Sequence, residues 1–453
     1  MSTIAAISTP NSPGGIAVIR ISGEKAIETA ARIFAPAGGK NVEEMAGYTC
    51  AYGYAHDAGE RLDDCILTVF RAPHSYTGED VAEISCHGGL YVTRKILRTI
   101  LKNGAENAEP GEFTKRAFLN GKLDLTQAEA VMDVISAKGE RELRMAANLR
   151  EGAAFRKAKA VSSRLLKLLG DLAAWADYPE DDIPEVEPEA ISSQLSEAEA
   201  ELRALIANYD SGRIVREGID TVIVGRPNVG KSTLFNCLSG CERSIVTDIA
   251  GTTRDVVEET VRLGDVTLRL SDTAGIRETS DIIEGIGVDI ARKRLEAADL
   301  IIAVFDGSCP LTADDFELIK NLSDKKIIAV INKSDAGMVI DTEMLEQKNI
   351  QRVYLSAKDN TGIDELQKAV EEEFKLNEIN FEDISIANER QKICIEKSLS
   401  CINEAQNALM SGEFLDAVTV LIDEAEQFLL ELVGEKTTDA VVDEVFSRFC
   451  VGK

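Results

Sequence analysis

A glycine-rich stretch in the middle of the chain has the residues and spacing of a phosphate-binding loop. It reads GRPNVGKS at positions 225–232 and follows the apolar residues 221–224, which predict a strand. Glycines at both ends let the backbone turn its N–H groups toward phosphate oxygens. Lys231 adds a positive charge, and the hydroxyl of Ser232 can hold Mg²⁺. The motif predicts that the chain binds a nucleoside triphosphate.

Three later motifs indicate which nucleotide is bound. NKSD at positions 332–335 follows the strand-like residues 327–331. The carboxylate of Asp335 can accept hydrogen bonds from N1–H and the exocyclic amine of guanine, a donor pair that adenine lacks. DTAG at 272–275 places a carboxylate near the metal, and SAK at 356–358 supplies a second loop against the base. Four motifs in this order predict a GTPase.

The segment that should orient the attacking water departs from a common GTPase pattern. Many GTPases carry a glutamine two residues after the DTAG glycine, but here the motif is followed by Ile276 and Arg277. An apolar side chain cannot position water, so hydrolysis must use another group. The carboxylates that follow are Glu278, Asp281 and Glu284.

A monovalent cation could supply charge that an arginine finger supplies elsewhere. The side-chain oxygen of Asn228, inside the phosphate loop, can ligate such an ion, and backbone carbonyls at Thr247 and Ile249 could join it. Those two residues belong to a switch-like segment, VTDIAGTTRD at 246–255. In the same segment the hydroxyl of Thr253 can complete the Mg²⁺ shell when GTP is present.

Composition limits the remaining possibilities. A chain of 453 residues suggests about three domains. Its nine cysteines include no CxxC pair and it has three histidines, which favours reduced thiols over a disulfide framework or a zinc site. We find no basic start followed by an apolar stretch and no long apolar run. We therefore expect no signal peptide, no membrane span and a cytoplasmic location.

The charge is unevenly distributed. A net charge of −28 argues against non-specific nucleic-acid binding over the whole surface. Between residues 86 and 170, however, 16 Lys and Arg face 9 Asp and Glu, a local charge of +7. A nucleic-acid footprint and solvated helix faces without a ligand explain this excess equally well.

Hydrophobic periodicity predicts a multidomain protein of α/β and α classes. Residues 4–118 contain strand-like runs at 16–21 and 81–86 before a helical run at 90–101, which predicts an α+β domain. Residues 216–376 alternate strands and helices, as in a doubly wound P-loop GTPase domain of Ras-like α/β fold. The simplest account inserts this domain into a discontinuous helical domain. The predicted segments are 1–118, 119–215, 216–376 and 377–453.

Four motifs outside the GTPase segment are more distinctive. They are SYTGED at 75–80, HGG at 87–89, PGEFTKRAFLNGK at 110–122 and the terminal CVGK at 450–453. With them, the whole chain resembles the bacterial MnmE (TrmE) family of tRNA modification GTPases. The resemblance implies an N-terminal tetrahydrofolate-binding domain that forms a homodimer. It also implies a GTPase domain that pairs with its twin when potassium and GTP are bound.

The resemblance further implies a partner and a reaction. The partner is the FAD protein MnmG (GidA), with which the family forms a heterotetramer. Together they attach an aminomethyl or carboxymethylaminomethyl group to C5 of the wobble uridine, position 34 of certain tRNAs. The one-carbon unit comes from 5,10-methylenetetrahydrofolate, of which 5-formyltetrahydrofolate is an analogue.

Matched residue by residue, the resemblance assigns several sites. The folate pocket uses Arg20, Glu83, Lys122 and Lys453, with the cations suited to the glutamate tail and Glu83 to the donor face of the pterin. Glu284 positions water, and Cys450 is a second catalytic candidate. Potassium is held by Asn228, Thr247, Ile249 and Thr252, and Mg²⁺ by Ser232 and Thr253. The expected nucleotide contacts are Asn228, Val229, Gly230, Lys231, Ser232, Thr233, Thr247, Asp248, Ile249, Ala250, Gly251, Thr252, Thr253, Asp272, Thr273, Ala274, Gly275, Asn332, Lys333, Asp335, Ser356, Ala357 and Lys358.

Two alternatives stay open at this point. Cys450 could be a thiolate that handles a one-carbon intermediate, or a small apolar anchor for the terminal helix. The GTPase segment alone would also suit a switch in ribosome assembly or translation that acts as a binding module. The folate-like N-terminal segment separates the two functions, because an assembly factor has no use for a one-carbon carrier.

Overall fold

The structure, a computed structural model, describes residues 1–177, 187–240, 258–271, 295–321, 325–381 and 383–453. Contacts divide the chain into two compact units. The first unit comprises Met1–Ser136, Ala146–Ile206 and Glu389–Lys453, and the second comprises Ala137–Met145 and Ala207–Asn388. Residues 137–145 and 207–215 thus pack with the GTPase segment rather than with the helical one. The four-segment division itself stays a prediction.

The first unit begins with an α+β layer. Its seven-stranded sheet has the order β3-β4-β5-β6-β2-β1-β7, antiparallel except for the β1–β7 pair. The strands are β1 Ile4–Ile7, β2 Ile16–Ser22, β3 Phe34–Pro36, β4 Thr49–Asp57, β5 Glu60–Phe70, β6 Val81–His87 and β7 Glu106–Asn107. The helices are α1 Ala26–Ala31, α2 Leu90–Lys102 and α3 Glu112–Leu119. The predicted strands at 16–21 and 81–86 and the helix at 90–101 are confirmed.

Alternation along the strands separates the two faces of this sheet. Ile19, Ile84 and Leu67 are fully buried in one core together with Ile96 and Ile100 of α2. The residues between them point to the opposite face. Arg20 and Glu83 lie there as direct partners across β2 and β6, so strand register places these two charged side chains next to each other.

Four helices follow in the chain: α4 Leu125–Ser136, α5 Glu140–Arg150, α6 Ala153–Asp177 and α7 Pro188–Ile206. Their buried residues recur at helical spacing, as in the series Ile191, Leu195, Ala198, Leu202 and Leu205 of α7. The predicted helical segment is thereby confirmed where it is described.

The second unit contains a six-stranded sheet of order β13-β12-β11-β8-β10-β9, parallel except for β9. Its elements are α8 Tyr209–Glu217, β8 Ile219–Val224, α9 Lys231–Gly240, β9 Glu258–Leu263, β10 Val266–Ser271, β11 Leu300–Asp306, α10 Ala313–Asn321, β12 Lys326–Asn332, α11 Glu343–Gln347, β13 Gln351–Tyr354 and α12 Ile363–Glu373. Along β11, Leu300, Ile302 and Val304 belong to one buried cluster and Ile301, Ala303 and Phe305 to another. Both faces are therefore covered, as the predicted doubly wound fold requires.

The chain returns to the first unit in α13 Glu389–Met410, α14 Leu415–Val433 and α15 Asp439–Ser447. α14 packs against α13 and α6. A buried charge lies in this helical core. The carboxylate of Glu129 accepts hydrogen bonds from Arg390 Nε at 2.7 Å, Arg390 Nη2 at 3.0 Å and Gln391 Nε2 at 2.7 Å. No helix in the described part of the chain is long and apolar enough to cross a membrane.

Replacing Glu129 by alanine should destabilise the helical core strongly. The change leaves the mostly buried Arg390 guanidinium without its carboxylate, and an uncompensated charge of this kind costs about 3–5 kcal/mol of unfolding free energy. Glu444→Ala is the control, because its ion pair with Arg448 is exposed and contributes less than about 1 kcal/mol. Thermal unfolding followed by circular dichroism measures both, and equal midpoints for the two variants would contradict the expectation.

Candidate functional site

The phosphate-binding loop connects β8 to α9 in the second unit. Gly225 and Gly230 have φ angles of 152° and 100°. A Cβ atom on Gly225 would lie 2.4 Å from the carbonyl oxygen of Val304, and one on Gly230 would lie 2.2 Å from Asn332 Nδ2. Glycine is therefore required at both ends of the loop, because any side chain would collide with its neighbour.

Lys231 and the start of α9 give the loop its positive charge. Lys231 Nζ donates to the carbonyl oxygens of Gly225 at 2.8 Å and Arg226 at 2.9 Å, so the ammonium group lies across the loop. Ser232 and Thr233 are exposed in the first turn of the helix. The backbone N–H groups of a first helical turn and the helix dipole favour an anion at this end, and the exposed Ser232 hydroxyl could contact a phosphate-bound cation.

The side chain of Asn332 joins three of the predicted motifs. Its Nδ2 donates to the carbonyl oxygen of Val229 at 2.9 Å, and its Oδ1 accepts the backbone N–H of Ala357 at 3.0 Å. The residue is only 3% exposed. One buried amide thus fixes the phosphate loop against the NKSD and SAK segments.

Lys333 connects the same loop to β11. Its Nζ donates to the carbonyl oxygen of Asn228 at 3.0 Å and to Asp306 Oδ2 at 2.6 Å. Burial raises the pKa of Asp306, but hydrogen bonds from Lys333 and Ser308 outweigh it and hold that pKa below its ordinary value. Asp306 was not predicted from the sequence. The feature that could have identified it is its position at the end of the apolar strand β11, where it pairs directly with Asn332 of β12.

The carboxylate predicted to contact the base has a defined orientation. Asp335 is exposed, and its Oδ1 accepts the hydroxyl of Ser356 at 2.8 Å. Ser356 is buried and its Oγ also accepts the N–H of Asp359 at 3.2 Å. The serine therefore holds the carboxylate while leaving it open to two donors of a guanine ring. Lys358 of the same loop is exposed.

The structure thus brings together the motifs at 225–233, 332–335 and 356–358. The other expected contacts and the water-orienting candidates lie outside the described residues. They are Thr247, Asp248, Ile249, Ala250, Gly251, Thr252, Thr253, Asp272, Thr273, Ala274, Gly275, Glu278, Asp281 and Glu284.

A second cluster lies in the first unit. Arg20 Nε donates to Glu83 Oε1 at 2.8 Å, and both side chains are mostly buried. Burial lowers the pKa of Lys453, the nearby Arg20 guanidinium lowers it further, and Glu83 partly opposes the shift. Three residues expected in the folate pocket therefore share one electrostatic environment. The Nζ of Lys122 donates to the carbonyl oxygen of Pro73 at 3.1 Å.

Backbone contacts hold the C-terminal tetrapeptide at this cluster. The N–H of Gly111 donates to the carbonyl of Cys450 at 3.3 Å, and the N–H of Phe113 donates to the backbone oxygen of Lys453 at 3.2 Å. Gly452 has a φ of 95°, and a Cβ there would lie 2.4 Å from the carbonyl oxygen of Ile7. The tail therefore packs between β1 and the start of α3.

The side chain of Cys450 is exposed. The anchoring alternative requires a buried thiol. Near the end of the chain, the rings of Phe446 and Phe449 are buried and pack with Leu125 and Ala128. These rings account for attachment of the terminal helix without Cys450.

Comparison with known proteins covers the whole chain. The family model described as MnmE helical domain matches residues 125–450, and the one described as GTP-binding protein TrmE N-terminus matches residues 3–122. The chain is 42% identical over 459 residues to a protein named tRNA modification GTPase MnmE from Acetivibrio thermocellus, covering 100% of this chain and 99% of the relative.

A second relative of that name, from Geobacillus thermodenitrificans, is 41% identical over 457 residues, with 100% of this chain and 99% of the relative covered. Among solved structures, the G domain of the T. maritima FeoB iron transporter is 27% identical and matches 34% of this chain and 98% of its own length, with a TM-score of 0.27.

Changing Asp335 to asparagine should alter which base the site accepts. Asparagine presents an amide donor where guanine also presents donors, so GTP affinity should fall at least about tenfold. Xanthosine triphosphate, which has a carbonyl at C2, should bind the variant better than it binds the original protein. Fluorescence titration with both nucleotides measures the change. Asp364→Asn, at an exposed position in α12, is the control, and unchanged GTP affinity in Asp335→Asn would contradict the assignment.

Proposed function

The chain belongs to the MnmE family of tRNA modification GTPases, and from that premise we propose that it hydrolyses GTP in the modification of wobble uridine at C5 in certain tRNAs. The observation that carries the proposal is the coexistence of two sites in one chain. The Asn332-centred loops suit a guanine nucleotide, and the Arg20, Glu83 and Lys453 cluster suits an anionic ligand that also offers donors. A ribosome-assembly or translation switch would have no use for the second site.

The first site supports binding and hydrolysis of GTP. Backbone N–H groups of the loop and the Lys231 ammonium stabilise the charge that develops on the phosphoryl oxygens. The exposed Ser232 would hold Mg²⁺ together with Thr253, and the ion would neutralise charge between the phosphates. We propose Glu284 as the residue that orients the attacking water, by its match to the family.

Potassium would suit the same site. Asn228 has a φ of 66°, and its side chain is exposed while its carbonyl is held by Lys333. The exposed side-chain oxygen could therefore ligate the ion, and Thr247, Ile249 and Thr252 would complete the ligand set by their match to the family. The bound ion would supply the positive charge that an arginine finger supplies in other GTPases.

The second site supports folate binding. Glu83 can accept from the amine and N–H groups of a pterin, and Arg20, Lys453 and Lys122 can pair with carboxylates of the glutamate tail. Folate would supply the one-carbon unit. The exposed thiol of Cys450 lies within the terminal tetrapeptide that reaches this cluster, and we propose that it takes part in the modification.

The remaining features of the proposal follow from the family. They are a homodimer formed by the N-terminal domain, a heterotetramer with the FAD protein MnmG, action on tRNA and a cytoplasmic location. The domain limits at 118, 215 and 376 are part of the same proposal.

Hydrolysis should depend on potassium through Asn228. Lithium is too small for a site ringed by amide and carbonyl oxygens, so replacing potassium by lithium should remove most of the rate. Asn228→Ala should keep GTP binding, because the backbone loop and Lys231 persist, but should lose stimulation by potassium. Asn349→Ala is the matched control, since Asn349 is also exposed and has a positive φ of 54°. Phosphate release in the two salts measures the rate, and equal turnover would refute the role.

Deleting residues 450–453 should separate the two activities. The tetrapeptide contacts β1 and α3 of the first unit, whereas the nucleotide motifs lie in the second, so potassium-stimulated GTP hydrolysis should stay near normal. Wobble-uridine modification, measured by mass spectrometry of tRNA nucleosides, should disappear. Normal modification by the shortened protein would contradict the proposal, and loss of both activities would favour the anchoring role for Cys450.

A further inference from the structure

The guanidinium group of Arg20 lies beside two aromatic rings. Its Cζ is 5.4 Å from the ring centroid of Tyr76 and 5.5 Å from that of Phe113. Within the described residues, its one hydrogen-bond partner is Glu83. Rings at this distance attract the cation and restrict the plane of the guanidinium. Four of its five N–H groups are thus oriented but available to a ligand.

Both rings are fixed by the same helix. Phe113 is fully buried in the first turn of α3, and the hydroxyls of Tyr76 and Thr114 lie 2.9 Å apart. Thr114 follows Phe113 and is also fully buried. The position of the Tyr76 ring is therefore set by a hydrogen bond to the helix that carries the other ring.

An ionic cluster locks the loop of Tyr76 onto that helix. Arg116 Nη1 donates to both carboxylate oxygens of Glu79, at 3.1 and 3.2 Å, and its Nη2 donates to Glu112 at 2.8 Å. The hydroxyl of Ser22 donates to Glu79 at 2.7 Å. Ser22 is two residues beyond Arg20 in β2, so these contacts join the strand that carries Arg20, the loop of Tyr76 and helix α3 into one frame.

Stability alone does not account for this frame. Replacing a buried ionic cluster by apolar residues of similar volume is often neutral or stabilising, because the charges lose hydration. The frame instead confers a fixed geometry. The same helix binds the backbone oxygen of Lys453 through the N–H of Phe113, and the two cations, Arg20 and Lys453, are close enough to interact. A carboxylate ligand would relieve their repulsion.

We propose that Tyr76 is a positioning residue of the folate site. Through its ring and its hydrogen bond to Thr114, it holds the Arg20 guanidinium in the plane that pairs with a carboxylate of the folate glutamate tail. This inference rests on the proposed folate-binding function and assigns to Tyr76 a role that acts through Arg20.

The test is a double-mutant cycle on the full-length protein with 5-formyltetrahydrofolate as the probe, its Kd measured by isothermal titration calorimetry. Tyr76→Phe removes only the hydroxyl and should raise Kd about fivefold, the effect of one lost hydrogen bond. Thr114→Val should reproduce this loss from the other partner. In an Arg20→Lys background, which keeps the charge but not the planar group, Tyr76→Phe should change Kd less than about twofold.

Tyr91→Phe is the control, because Tyr91 is 79% exposed on α2 and its hydroxyl should not affect Kd. Thermal midpoints of all variants should agree within about 2 °C, which separates positioning from unfolding. An equal loss from Tyr76→Phe in both backgrounds, or no loss in the original protein, would overturn the inference while leaving folate binding intact. If the original protein did not bind 5-formyltetrahydrofolate, the proposed function of the site would itself fail, and this inference with it.

Discussion

The nucleotide site depends on one buried amide. Asn332 donates to the loop at Val229 and accepts from Ala357, so the phosphate-binding and base-reading segments keep a fixed separation. The contact is possible only because Gly230 has no side chain. A polar group at this depth is stable because both of its ends are satisfied, and leaving either unpaired would cost about 1–3 kcal/mol. The hydrogen bonds of Asn332 thus hold together the loops that carry the exposed side chains of Asp335 and Asn228.

In the first unit, helix α3 has a comparable role. Its first turn binds the C-terminal tail through backbone hydrogen bonds at Gly111 and Phe113, and its second turn carries Arg116, which binds Glu79 and Glu112. Two segments more than 300 residues apart in sequence, at 110–122 and 450–453, thus meet at one place. The tail makes these contacts through backbone groups, so they do not use the side chains of Cys450 and Lys453.

Much of this arrangement could be predicted from local pattern. The strand and helix periods identified both layers of the first unit and the doubly wound sheet of the second, and the spacing of GRPNVGKS and NKSD identified the guanine nucleotide. Contributors that act through long-range packing could not be found this way. Asp306 ends an otherwise apolar strand. Tyr76 and Arg116 lie in motifs that carry no local sign of their contacts, which are with Arg20 for Tyr76 and with Glu79 for Arg116. The hydrogen bond from Lys122 to Pro73 is likewise one that no local pattern predicts.

The sequence by itself determined the fold class, the nucleotide and the family, because these depend on residue type and on short, fixed spacings. Only the tertiary structure decided which charges face each other. Arg20 and Glu83 are 63 residues apart, and strand register alone makes them neighbours. Lys453 joins them because the positive φ of Gly452 lets the tail pass within contact distance of Ile7. Such contacts between distant segments depend on the packing of the whole unit, and no single segment encodes them.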